Sequence, residues 1–196
     1  MNIMTSDLKL VEEPKKPLAM DPKKFALWLF IITVVMVFAA LTSAYIVRQA
    51  EGNWMVFELP VEMWLTTATI FLSSITMHWA YLEAKKDNLE RVKLALGITT
   101  LLGILFLVGQ FYIWGVLVER QVYFVGNPSG SFLYVISGLH GLHIVSGVIF
   151  LIIVLISTFK YKVHSKKLSQ IQMCATYWHF LDVLWIYLFV FLLLNH

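Results

Sequence analysis

Five apolar runs leave this chain little choice of architecture, because each exceeds the ~20 residues that a helix needs to cross a hydrocarbon core. They lie near Phe25–Val47, Val61–Leu82, Val92–Val118, Ser131–Phe159 and Ile171–Leu194. None shows the two-residue alternation of a membrane barrel strand, so the expected fold class is an all-α membrane protein, a bundle of five transmembrane helices. Composition agrees: 59% of residues are hydrophobic and 14% charged, where a soluble domain carries about a quarter charged residues. The third and fourth runs are longer than the span requires and are expected to tilt or project beyond it. The single cysteine, Cys174, allows neither a disulfide framework nor a cysteine-based metal site within the chain.

Residues 1–24 read as a polar cytoplasmic tail and 25–196 as one five-helix domain. The tail holds Pro14, Pro17 and Pro22 among lysines and acids, without the short apolar core and small-residue cleavage site of a secretory signal. Asp21 before Pro22 marks a helix start, and Ser129 or Ser131 is expected to cap the fourth helix after the turn Gly126-Asn127-Pro128. The tail and the second and fourth connections together hold thirteen basic residues; the first and third connections hold only Arg48 and Arg120. By the positive-inside rule the N-terminus is expected in the cytoplasm, and five crossings place the C-terminus outside. Nucleic acid is not among the expected partners.

The ionisable residues well inside the runs are His78, His140, His143, His179 and Asp182. Such residues face protein or water and find partners. At a ~1.5 Å rise per residue, His140 lies ~13 Å and His143 ~18 Å below the outer end of the fourth helix. On the oppositely directed fifth helix, Asp182 and His179 fall at ~13 Å and ~18 Å below the same surface. Matching depths predict a polar layer that pairs His140 with Asp182 and His143 with His179. Its plainest role is a bridge fixing helix register; a sharper one is a proton relay or lipid-headgroup site. Histidines at one depth on two helices also admit haem ligation, but an i,i+3 pair puts two imidazoles on one helix face, where bis-histidine haem needs one per helix. His78 is expected to reach headgroups near the inner end of the second helix, with Arg48 the corresponding contact outside. Gln110 reads as an interhelical hydrogen-bond partner.

The stretches SGLHGLHIVSG (Ser137–Gly147) and YWHFLDVLWIYLF (Tyr177–Phe189) resemble the two C-terminal signatures of subunit III of the haem–copper oxidases. LTSAYIVR (Leu41–Arg48) and FLVGQ (Phe106–Gln110) are similar to that family's first and middle core helices, and the resemblance runs from Phe25 to the C-terminus. It implies the short five-helix bacterial form of the subunit, in the bacterial cytoplasmic membrane. It further implies a non-redox structural and regulatory subunit of a proton-pumping terminal oxidase of aerobic respiration. No cofactor is then expected in this chain: haems and copper belong to partner subunits I and II, and structural phospholipids are expected in a cleft between the first two core helices and the rest. A larger respiratory supercomplex is a further partner of this kind.

Two positions depart from the family pattern. Val34 stands where the family often has a glutamate in its first core helix, and Ile113 stands where one often follows the glutamine of the third. Roles that rest on those carboxylates, carbodiimide reactivity included, do not carry over, and Asp182 is left as the one deep carboxylate. The residues are nearly silent on the electron donor; family frequency favours cytochrome c over quinol. Of other function classes, a stand-alone transporter is disfavoured by the lack of broken helices and inverted repeats, and a membrane cytochrome is separated by its absorption spectrum.

Overall fold

The computed structural model describes residues 21–160 and 168–195. Most of the expected tail (residues 1–20), much of the fourth connection with His164, and the terminal His196 lie outside these. Every regular element among the described residues is an α-helix: α1 Pro22–Ala50, α2 Glu62–Lys85, α3 Leu89–Glu119, α4 Pro128–Phe159 and α5 Ser169–Asn195. α1, α3, α4 and α5 are long and apolar enough to cross a membrane by length and composition alone. α2 is less apolar because it carries Thr66, Thr67, Thr69, Ser73, Ser74 and Thr76. Most of those hydroxyls return to the helix itself; Thr66 and Thr67 donate to the Met63 carbonyl at 3.0 and 2.7 Å, and Ser73 to Ile70 at 2.7 Å.

The helices run a few residues beyond most ends of the apolar runs, because their first and last turns are polar and capped. Asp21 accepts from the Lys23 amide at 3.0 Å, with Pro22 pre-set for the first turn of α1. α2 and α3 form a hairpin in which Asp87 turns at φ 55° and Asn88 caps α3. Buried Glu83 faces Lys86 at 3.1 Å and Arg91 at 3.7 Å across it. The expected serine cap of α4 is not formed. Asn127 caps it, accepting from the Ser129 amide at 3.0 Å, since Pro128 occupies the first helical position and the residue before it must supply the acceptor. Asn127 also donates to Asn53 and accepts from the Met55 amide, both at 3.2 Å, which ties together the loops between α1 and α2 and between α3 and α4.

α2 packs most extensively on α3, α3 on α4, and both α2 and α4 on α5; α1 lies against α4 and α5. α1 and α5 start at the same end and finish together. Lys24 reaches Gln172 and Ser169 reaches Asp21 at one end, while Tyr45 and Gln49 both donate to the Asn195 carbonyl at the other. Among the described residues α1 and α2 are not a pair set apart: α2 is seated between α3 and α5. Two openings flank α1. An apolar fissure of about 310 Å³ parts it from α5 beside Phe38 and Phe180.

The centre of the bundle is Trp178, fully buried at 0% exposure. Its indole donates to Ser73 of α2 at 3.0 Å, and it lies over Gly103 of α3 and Gly147 of α4. A Cβ at Gly103 would meet the ring at 2.6 Å, and one at Gly147 would meet it at 3.1 Å. Two turns further on, Trp185 donates to Thr67 at 3.1 Å. The close approaches thus occur at Gly103, Gly147 and Gly109, which faces Thr66. Ala40 and Ala44 line a groove, and Ser137 accepts from Trp114 at 3.1 Å.

Gly103→Ala should destabilise the bundle by about 1–3 kcal/mol, because a buried indole cannot yield without displacing α3 or α4. Gly97→Ala, with open space where its Cβ would lie, should be neutral or slightly stabilising. Thermal denaturation of the detergent-solubilised protein distinguishes the two. In the same assay Ser73→Ala should cost about 1–3 kcal/mol, by leaving the Trp178 N–H buried without an acceptor.

Candidate functional site

The histidines and the aspartate singled out in the sequence fall into two groups, on different sides of α5. On the side of α4, His140 is fully buried and enclosed by aromatic rings from three other helices: Phe38 of α1, Phe106 of α3 and Trp185 of α5. The Trp185 ring is closest, at 5.0 Å between centroids and 31° between planes. Neither imidazole nitrogen of His140 has a hydrogen-bond partner. One turn on, His143 pairs through Nδ1 with the Leu139 carbonyl of its own helix at 2.7 Å and packs on Phe30 and Phe38 of α1. Nearby, the Ser146 and Tyr177 hydroxyls join α4 to α5 at 2.7 Å.

The second group lies between α5 and α2. His179 Nδ1 and the Ser74 hydroxyl are 2.6 Å apart. The rings of His179 and His78 sit 6.1 Å apart, beside a pocket of about 340 Å³ lined also by Phe71, Ser74 and Ile75. Behind them Asp182 is 2% exposed. Neither of its carboxylate oxygens has a hydrogen-bond partner.

The expected bridges are therefore not made: His140 does not bond to Asp182, and His143 does not bond to His179. The reason is the azimuth of α5. α5 presents Trp178 and Trp185 where they meet α3 and α4, and this turns His179 and Asp182 toward α2. His78 faces His179 and is exposed on the outside of the bundle. Arg48 pairs with Glu51 at 3.3 Å and donates to the Gly52 carbonyl at 3.1 Å, at the rim of the groove between α1 and α4. Gln110 does join two helices, donating to Thr66 at 3.3 Å.

Ser73, Ser74 and Thr67 are the residues that sequence reasoning passed over. Their signal was the hydroxyl content of α2, with Thr67 and Ser74 seven residues apart and hence on one side of the helix. Among the described residues, no group of three or more histidines, cysteines or acids converges as a metal site would require. Val34 and Ile113, expected as replacements for acidic residues, are buried apolar side chains. Because Asp182 forms no bridge, Asp182→Asn should cost less stability than Ser73→Ala. A larger loss on thermal denaturation would show that a bridge exists.

The model of the family described as cytochrome c oxidase subunit III matches residues 15–195 of this chain. The chain is 32% identical over 160 residues to the probable cytochrome c oxidase subunit 3 of Nocardia farcinica, covering 79% of each. It is 30% identical over 168 residues to the cytochrome c oxidase subunit 3 of Corynebacterium diphtheriae, covering 82% of each. Against the same-named protein of Bacillus sp. strain PS3, identity is 27% over 172 residues, covering 85% of this chain and 83% of the relative. With its all-helical fold and apolar spans, the chain belongs to the cytochrome c oxidase subunit III family, a subunit of the haem–copper terminal oxidases.

Proposed function

We propose that this chain is the non-redox structural and regulatory subunit of a proton-pumping cytochrome c oxidase in a bacterial cytoplasmic membrane. It stabilises the partner subunits that carry haem and copper, with residues 1–24 as its cytoplasmic tail and the C-terminus outside. The observation that carries the proposal is the family match along residues 15–195. The surface of α1 supports it. Within its apolar span only 22% of residues are buried, against 56% for α5, and Phe25, Trp28, Leu29, Ile32, Val35 and Met36 point outward. That exposed stripe suits a second membrane subunit or lipid chains.

Phospholipid is the other expected companion. The groove of about 790 Å³ between α1 and the start of α4 combines apolar walls at Ala40, Ala44 and Phe132 with Arg48 at its rim. A lipid tail in the groove would bring a headgroup phosphate to the guanidinium, which offers more donors than Glu51 uses. On the opposite surface His78 serves the same contact.

Mild detergent extraction should recover this chain with haem-bearing partners and an oxidase spectrum; recovery of a stable chain free of them would refute the proposal. Within that complex, a hydrophobic carbodiimide should label the chain weakly or not at all, since Val34 and Ile113 replace the family's buried acids. Strong labelling at a residue other than Asp182, read by mass spectrometry, would contradict this.

A further inference from the structure

A groove of about 210 Å³ runs along the outside of the α3–α4 pair, between Phe111 of α3 and Leu142 of α4, which are 67% and 65% exposed. Part of it is bare backbone. A Cβ at Gly141 would meet nothing within 4 Å, and one at Gly138 would meet only the Trp114 ring, at 3.6 Å. The space at these two glycines is therefore not used within the chain, unlike that at Gly103 and Gly147. Two polar side chains of the groove satisfy each other: Trp114 donates to Ser137 at 3.1 Å, and Ser137 donates onward to the Leu133 carbonyl at 2.7 Å. Gln110 is different. It is 4% exposed, and its amide nitrogen donates to Thr66 of α2 at 3.3 Å. The Thr66 hydroxyl gives its own proton to the Met63 carbonyl, so the nitrogen must be the end of the amide that faces it. Gln110 Oε1 is left buried without a donor.

An orphaned buried acceptor is costly, so the groove calls for an occupant that brings a donor. Bulk water and lipid headgroups are remote. Eight uncharged residues, Phe111–Val118, separate Gln110 from Glu119 at the end of α3, a distance of ~14 Å along the axis. An acyl chain has no donor to offer. A transmembrane helix has both features that the groove requires: a small residue lets its backbone approach over glycine, and a serine or threonine hydroxyl donates across the contact. We propose that the α3–α4 groove seats a transmembrane helix of another oxidase subunit, which packs a small residue on Gly138 and Gly141 and donates a hydrogen bond to Gln110 Oε1. The seat rests on the chain working within the oxidase, and it is a contact surface distinct from the exposed stripe of α1.

The experiment uses the assembled oxidase. With the photoreactive substitution Leu142→p-benzoylphenylalanine, irradiation should join this chain to a membrane-spanning segment of another subunit, identified by mass spectrometry. A cross-link to lipid alone, or to a second copy of this chain, would overturn the proposal. Gly141→Leu, added beside the probe, fills the groove and should lower the cross-link yield by about tenfold or more, as overpacking of a close contact does. Gly97→Leu, at a glycine of α3 whose Cβ also meets nothing, should leave the yield unchanged; equal losses in the two would overturn the seat. Gln110→Leu and Thr66→Val both break the internal Gln110–Thr66 bond, but only Gln110→Leu removes the free acceptor. It alone should lower the yield, by about threefold, the equivalent of one interhelical hydrogen bond in a membrane. Equal yields in that pair would overturn the hydrogen-bonded seat. The haem spectrum of the same samples is read first: its absence refutes the oxidase reading, whereas its presence without a cross-link to another subunit refutes the groove alone.

Discussion

One indole sets the geometry of this bundle. Trp178 projects from α5 into the space where α2, α3 and α4 meet, and each neighbour makes room for it differently. α2 supplies an acceptor in Ser73, while α3 and α4 supply bare backbone at Gly103 and Gly147. Lipid tails are as apolar as leucine, so burial of apolar surface does little to hold membrane helices together. Close packing and interhelical hydrogen bonds of about 0.6 kcal/mol on average do that work. A single side chain that combines both across three helices is correspondingly important. Trp185 repeats the arrangement two turns away, with Thr67 as acceptor and His140 and Phe106 as ring contacts.

The orientation of α5 imposed by these two rings decides where everything polar goes. With Trp178 and Trp185 facing the interior, His179 and Asp182 must face α2, and His140 is left among aromatic rings. The hydroxyls of α2 then acquire two duties: they satisfy their own helix and present oxygens to α5. α1 stands apart from this arrangement. It is tied to α5 at both ends and by the Thr42–Tyr187 hydroxyl pair at 3.1 Å, leaving most of its apolar surface for whatever lies alongside in the membrane.

Much of this was legible in the sequence, for definite reasons. Hydrophobic length alone reveals five helices, and the Tyr177–Phe189 and Ser137–Gly147 patterns point to the family that the comparisons establish. Helix ends were less legible, because caps such as Asn88 and Asn127 lie in polar flanks outside the apolar runs. Azimuth was not legible at all. When a helix is apolar on nearly every side, nothing in its pattern says which side faces which neighbour, so equal depth was mistaken for contact between His140 and Asp182. The seats of Trp178 were hidden for a related reason: Gly103 and Gly147 lie on different helices, and the Ser137–Gly147 pattern that Gly147 closes says nothing of which ring it meets.

The orientation of α5 is the claim on which the remainder depends, and a side-chain-resolved density map of the assembled oxidase measures it directly. Trp178 should lie between Gly103 and Gly147 with its N–H directed at Ser73, and His179 should meet the Ser74 hydroxyl. An α5 rotated so that Asp182 meets His140, with Trp178 turned to lipid, would contradict the assignment of both polar groups.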